Sequence, residues 1–192
     1  MSSTLRQAWV ALRFLVVMTV RLGIVYPVAL WGIGRAVPGT ADGSFVTGPS
    51  GTVVGSSLIG QSFDGDTWFH PRPSAAGEGY DALSSSGSNL AMDNPDQIDA
   101  VTQRKAAIAA EDRADPSAIP PDAVTASGSG LDPDISPDYA YLQVARVAEA
   151  RKLDPAAVRQ LVDQHVTGRT LGFLGEPRVN VLELNMALEQ MG

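Results

Sequence analysis

Apolar residues are distributed unevenly along the 192-residue chain. One nearly unbroken run, Phe14 to Ile33 (FLVVMTVRLGIVYPVALWGI), precedes a long region where apolar positions come in short bursts between Gly, Pro, Ser and Asp. The run supplies the ~20 residues that cross a ~30 Å hydrocarbon core as a helix. Trp9 and Trp31 bracket it as interfacial aromatics would, roughly 33 Å apart at ~1.5 Å per residue. The pattern predicts a short lead over residues 1–8 and a transmembrane helix over 9–35. Arg21 falls near mid-membrane, where a cation faces a protein neighbour or a wet cavity; the plainer alternative is snorkelling from an off-centre helix. Pro27 removes a backbone donor and is expected to kink the outer third of the helix, a disturbance best tolerated beside other helices.

Residues 36–51, rich in Gly, Pro and Ser, read as an extended connector. Thr52 to Phe63 has β-branched residues broken by glycines and predicts one or two short strands. The aromatics of Trp68-Phe69 are expected in the core, and Pro71 and Pro73 end regular structure there. Four helical stripes follow, each behind a capping residue. Asn94-Pro95 precedes Ile98, Val101 and Ile108; Ser136-Pro137 precedes Ala140, Val144, Val147 and Ala148; Asp154-Pro155 precedes Val158, Leu161, Val162 and Val166. Asn180, with Glu183 three residues on, opens a last helix through Leu184 and Leu188. Two of these helices also follow similar turns, Ser86-Gly87-Ser88 and Ser127-Gly128-Ser129, a local similarity that too few residues carry to establish a duplication. Glu111 to Asp122 is charged and proline-rich and reads as a surface loop. A few short strands with about four helices and no regular alternation indicate an α+β class: one N-terminal transmembrane helix, then a single extracytoplasmic α+β domain over 52–192.

Charge sets the expected orientation. The net charge of −7 divides into four arginines and no acid over residues 1–41, against 10 basic and 21 acidic residues over 42–192. Basic flanks stay cytoplasmic, so the N-terminus is expected inside and the acidic domain outside the plasma membrane, with Arg35 a minor opposing signal. The acidic surface disfavours nucleic acid. A cleaved leader is the alternative, with Gly39 and Ala41 as a small-x-small site, but the run is too long and holds Arg21 and Pro27. The absence of cysteine excludes thiolate metal sites, thiol catalysis and disulfides.

Candidate chemistry is sparse. His70 and His165 are the only histidines, and neither has a second ligand at metal-site spacing. There is no Gly-x-Ser-x-Gly elbow and no phosphate-binding Gly-x-x-x-x-Gly-Lys. The two SGS turns offer amides to an anion at helix starts, without a basic residue to help. Asp132-x-Asp134-x-Ser136-x-Asp138 begins like a calcium loop, then departs from it at Pro137 and Gln143. These absences favour an accessory subunit of a membrane complex. The alternative is a membrane-anchored extracytoplasmic module that binds a small ligand through the SGS turns.

A set of motifs sharpens this choice: Gly23-x-x-Tyr26-Pro27, Gly55-Ser56-x-Leu58-Ile59-Gly60-Gln61-x-Phe63, Phe69-x-Pro71-Arg72-Pro73-Ser74-Ala75, Ser86-Gly87-Ser88-Asn89-Leu90, Ile119-Pro120-x-Asp122-x-Val124-Thr125-x-Ser127-x-Ser129-Gly130-Leu131-Asp132-Pro133-x-Ile135-Ser136, Gln143-Val144-x-Arg146-Val147-Ala148 and Gly172-Phe173-Leu174-Gly175-Glu176-Pro177-Arg178-Val179-Asn180-Val181-Leu182-x-Leu184-Asn185. In this order and spacing the chain resembles the C subunit family of the bacterial high-affinity potassium-transporting P-type ATPase, the Kdp system. The resemblance implies a subunit without catalytic activity of its own, in a complex that imports potassium. Its implied partners are a channel-like potassium-transporting subunit, a P-type ATPase subunit and a small single-helix subunit. It also implies a catalytic chaperone that raises the ATP affinity of the ATPase subunit, with no firmly bound cofactor. Gln143 is the family-derived nucleotide contact, which sits badly with an outside domain because ATP is cytoplasmic. Arg21, Gly23, Tyr26 and Pro27 are the residues expected to pack on partner helices in the membrane, and Arg21 departs from the uncharged residue expected there.

Overall fold

The computed structural model describes residues 3–191, and the chain divides into two compact units, Met1–Ser44 and Phe45–Gly192. Met1 and Ser2 of the expected lead lie outside the described residues.

The first unit is dominated by one 34-residue helix, Ser3–Ala36, long and apolar enough to cross a membrane. It comprises α1 (Ser3–Val20), a π-helical turn (Arg21–Val25) and α2 (Tyr26–Ala36), followed by the short α3 (Pro38–Ala41). Helix forms earlier than the predicted residue 9 because Leu5, Arg6, Gln7 and Ala8 all favour it and nothing interrupts them. The disturbance expected at Pro27 takes the form of the π turn on its N-terminal side. There the Tyr26 N–H bonds back five residues to the Arg21 carbonyl. One extra residue in the turn relieves the clash that a proline ring makes with the carbonyl four positions before it.

The second unit begins inside the stretch expected as a connector. Strand β1 (Phe45–Thr47) pairs antiparallel with β2 (Val53–Ser56). The β-branched pair Val46-Thr47 finds a partner because Gly51, at φ 78°, lets the chain reverse. Beyond β2 the predicted second strand does not form. Instead the Gly60 N–H bonds to the Leu131 carbonyl, and a Cβ at Gly60 would lie 2.6 Å from the Asp132 carbonyl.

The remaining elements are α4 (Pro95–Glu111), α5 (Pro121–Val124), β3 (Asp134–Ile135), α6 (Pro137–Arg151), α7 (Pro155–His165), β4 (Val166–Thr167), β5 (Arg178–Asn180) and α8 (Val181–Glu189). Each predicted cap is made. Asn94 accepts from Asp96, Ser136 from Tyr139, Asp154 from Ala156 and Asn180 from Glu183, all backbone amides. Between α6 and α7 the chain turns through Lys152 in the left-handed region, with the Leu153 N–H closing onto the Ala148 carbonyl, a Schellman closure without glycine. The three-stranded antiparallel sheet has the order β3-β5-β4. Its central rung sets Ile135 and Val166 on either side of Val179. Around that rung Val144, Val147, Val158, Leu161, Val162, Leu184 and Leu188 form the core. The mixed architecture agrees with the α+β reading. Residues 111–122, read as a surface loop, bury Asp112 and Ile119 and contain a 3-10 turn at Pro116–Ala118, because the apolar Ile-Pro-Pro segment feeds α5 into the core.

Candidate functional site

The most organised polar cluster lies where the extended segment 66–70 crosses helices α6 and α8. Phe69 is fully buried there, so its main chain enters the core without a neighbouring strand to satisfy it. Side chains take that role. The Asn185 amide accepts from the Phe69 N–H at 2.9 Å and donates to the Phe69 carbonyl at 2.9 Å. The Gln143 amide repeats the arrangement one residue on, accepting from the His70 N–H at 2.6 Å and donating to its carbonyl at 3.2 Å. Arg146 donates to the carbonyls of Asp66 and Trp68 at 2.9 and 3.0 Å and to Gln143 Oε1 at 2.8 Å. Arg151 reaches the Thr67 carbonyl at 2.6 Å. Gln143 and Asn185 have zero exposure, so these two amides do for the segment what a paired strand would.

Charge is matched within the same cluster. Arg146 Nε donates to Asp112 Oδ1 at 2.7 Å, with side-chain exposures of 5% and 2%. Burial pushes the Asp112 carboxyl above the ordinary carboxylate range, while the hydrogen bond and charge of Arg146 pull it back down. Glu111 faces His70 Nδ1 at 3.3 Å, and His70 Nε2 lies 3.0 Å from the Gly65 carbonyl. Beside this cluster opens a cleft of about 380 Å³, lined by Asp66, Glu111, Asp112, Arg113, Arg146 and Glu149 among others.

Gln143, the nucleotide contact that the family resemblance implies, is inside the cluster, and contact of its amide with any ligand requires breaking its bonds to segment 66–70 or Arg146. Asp112, Arg146 and Asn185 complete the cluster; Arg146 and Asn185 stand in the family motifs, but nothing local joins the members, since Asp112 lies 34 residues from Arg146 and Asn185 lies 116 residues from Phe69. The one available hint is a Gln-x-x-Arg spacing on a helix, which puts both side chains on one face.

Arg21, Gly23, Tyr26 and Pro27 lie in or just after the π turn, and Gly23 has nothing within 4 Å of where a Cβ would stand. His165 bonds its own helix at the Leu161 carbonyl, 2.9 Å away, so the two histidines are not brought together as ligands.

The calcium-loop pattern does not assemble. Asp132 pairs with Arg72 at 2.9 Å and Asp134 with Arg178 at 3.0 Å, while Ser136 is engaged by Asp122. Among the described residues no three His, Asp or Glu side chains form a metal-binding group.

The SGS turns meet each other instead of presenting amides to a ligand. The Ser86 N–H and Ser85 hydroxyl both donate to the Ser129 carbonyl, at 3.0 Å each. A Cβ on Gly130, at φ 66°, would stand 2.5 Å from the Ser86 carbonyl. The turns also end well before Pro95 and Pro137, the first helical residues, so they lie outside both helix starts.

Comparison with known proteins agrees with the motif pattern. The family model described as "K+-transporting ATPase, c chain" matches residues 8–190. A potassium-transporting ATPase KdpC subunit from Kineococcus radiotolerans is 55% identical over 188 residues, covering 98% of this chain and 95% of the relative. Proteins of the same name are similar at 51% identity in Beijerinckia indica (91% of this chain, 89% of the relative) and at 48% in Mycobacterium tuberculosis (97% and 99%).

Proposed function

Because the chain belongs to the KdpC family of potassium-transporting ATPase subunits, we propose that it serves the import complex as a non-catalytic assembly subunit. Its partners are the channel-like, ATPase and single-helix subunits, and it raises the ATP affinity of the ATPase subunit through assembly, without a nucleotide contact of its own. The observation that carries this reading is the engagement of the buried Gln143–Arg146–Asp112 cluster with its own main chain. The Gln143 amide holds both polar groups of His70, and Arg146 is divided among Asp112, Gln143 and two carbonyls. Such a cluster fixes shape, since burial strengthens the hydrogen bonds that tie it to segment 66–70.

In the membrane, Arg21 and the π turn before Pro27 favour packing against other helices over free exposure to lipid. Pro27 supplies no N–H, so one carbonyl of the preceding turn has no donor within the helix. A neighbouring helix can provide a donor for it, and an acceptor for Arg21. The basic N-terminal flank favours a cytoplasmic N-terminus and an outside domain.

The complex purified with and without this chain tests the proposal. Without it, potassium-stimulated ATP hydrolysis is expected to collapse and the half-saturating ATP concentration to rise; unchanged kinetics would overturn the assignment. External protease on intact cells is expected to cleave the second unit, and protection would reverse the orientation.

A further inference from the structure

A second, smaller pocket of about 260 Å³ is walled by residues 70–74 and by α4, α5 and α6. Its charge runs against its surroundings. Residues 45–192 hold 20 acidic against 10 basic residues, yet Arg72 and Arg104 line this pocket and Glu111 is the one carboxylate on its wall. That carboxylate is turned to cations, with Oε1 3.3 Å from His70 Nδ1 and 3.9 Å from Arg146 Nε.

Three donors on the pocket wall lack acceptors. Arg104 pairs with no carboxylate among the described residues, and its bond goes through Nη1 to the neutral Val124 carbonyl at 3.1 Å. Arg72 is held by Asp132 through Nη1 at 2.9 Å, while its buried Nε has no acceptor among the described residues. Tyr139 is 3% exposed, and the surface it keeps lines the pocket. No described residue bonds its hydroxyl, which feels only burial and the charges of Asp112, Arg146, Glu111 and Asp122. A buried phenol ordinarily finds a partner, and a buried donor left unmade costs more than an average hydrogen bond returns. Three such donors on one wall call for an acceptor from outside the chain.

We propose that this pocket binds a phosphate group, with Arg104 supplying charge and a hydrogen bond, and Arg72 and Tyr139 the remaining donors. The site is separate from Gln143, whose amide is spent on His70 and Arg146, and it is independent of the assembly role.

Other ligand classes fit less well. A cation would meet two guanidinium groups and find one carboxylate, already engaged. A carboxylate brings two oxygens in one plane, whereas the donors here come from three separate segments, residues 70–74, α4 and α6; a phosphate has oxygens enough for all three and suits guanidinium as well. Size limits what the phosphate carries. The volume of about 260 Å³ lies below the ~300–1,000 Å³ of pockets that enclose drug-sized ligands, so inorganic phosphate or a small ester fits and a whole nucleotide does not.

The test is calorimetric titration of the full-length chain in detergent, at constant ionic strength, with sodium phosphate and separately with glycerol 3-phosphate. One saturable site per chain is expected. Binding of inorganic phosphate alone supports the proposal with the free anion as ligand; binding of the ester supports it with an esterified phosphate, as in a lipid headgroup. Arg104→Gln and Tyr139→Phe are each expected to weaken binding by roughly fivefold or more. Without phosphate, the thermal midpoint of Tyr139→Phe is expected to stay unchanged or rise, because the hydroxyl it removes has no partner. Should Arg104→Gln fail to fold through loss of its bond to Val124, Tyr139→Phe still decides. Absence of saturable heat with both probes overturns the proposal, as does equal affinity in the natural chain and Tyr139→Phe. Acetate bound as tightly as phosphate overturns the choice of ligand.

Discussion

Replacing Arg146 by methionine removes a charge while keeping much of the volume of the side chain, and the surroundings determine the consequence. Asp112, with its side chain 2% exposed, loses its countercharge. The Asp66 and Trp68 carbonyls and Gln143 Oε1 lose a donor at the same time. Stranding one member of a buried ion pair costs ~3–5 kcal/mol, a large part of the ~5–15 kcal/mol typical of a domain. Taking about 4 kcal/mol and a urea slope of about 2 kcal/mol/M, the unfolding midpoint of the full chain in detergent is expected to fall by ~2 M, followed by near-ultraviolet circular dichroism.

The loss carries a pH signature. Burial already raises the Asp112 carboxyl, and without Arg146 only the smaller pull of His70 opposes it. A raised carboxyl contributes stability below its unfolded value that disappears as pH rises through the folded one. The Arg146→Met deficit is therefore expected to shrink on going from neutral pH toward the ordinary carboxylate range. Adding Asp112→Asn removes the stranded charge, so the double variant is expected to recover ~1.5 kcal/mol or more relative to the sum of the single losses. A deficit under ~1 kcal/mol, independent of pH and additive in the cycle, would refute the view that this pair holds segment 66–70 in place.

Two further outcomes follow from single residues. Tyr80 donates its hydroxyl to the Arg72 carbonyl, and burial, then Asp64, push the phenol from 10.0 up to about 12. Its contribution is full below the ordinary phenol value and is lost as pH rises through about 12; alkaline absorbance titration of the natural chain against Tyr80→Phe is expected to show one late-ionising tyrosine fewer in the variant. Gly130→Ala is expected to cost ~2 kcal/mol or more in urea unfolding, since φ 66° strains an L-residue and the new methyl meets the Ser86 carbonyl and the Ala76 amide.

Local chemistry made the helices legible. Asn94, Ser136, Asp154 and Asn180 each sit one residue ahead of the first helical residue and four ahead of the first position of an apolar stripe, and a cap acts within three residues, so a short window holds the whole signal. Strands were harder to read. β3 and β4 have two residues each, too few to show alternation, and exist because β5 lies between them. Membership of the potassium-transporting ATPase subunit family was legible through motif order spanning nearly the whole chain. The cluster around Gln143 was not, because its members come from segments 66–70, 111–112, 143–146 and 185, and only tertiary contact gives their polarity a purpose. The SGS turns look like ligand loops for the same reason: glycine and serine near a predicted helix mark a tight main chain, whether it meets an anion or, as here, another such turn.

The π turn in the first unit has a geometric corollary. An α-helix advances about 100° per residue, so the extra residue within Arg21–Val25 offsets the angular phase of Tyr26–Ala36 relative to Ser3–Val20. A side-chain stripe traced along the first segment does not continue on the same side of the second. The two stretches are separately aimed, and each is free to address a different neighbour within one continuous rod. Deleting any one residue of the turn would bring both into a single phase and re-aim every side chain beyond Val25, while leaving length and hydropathy almost untouched.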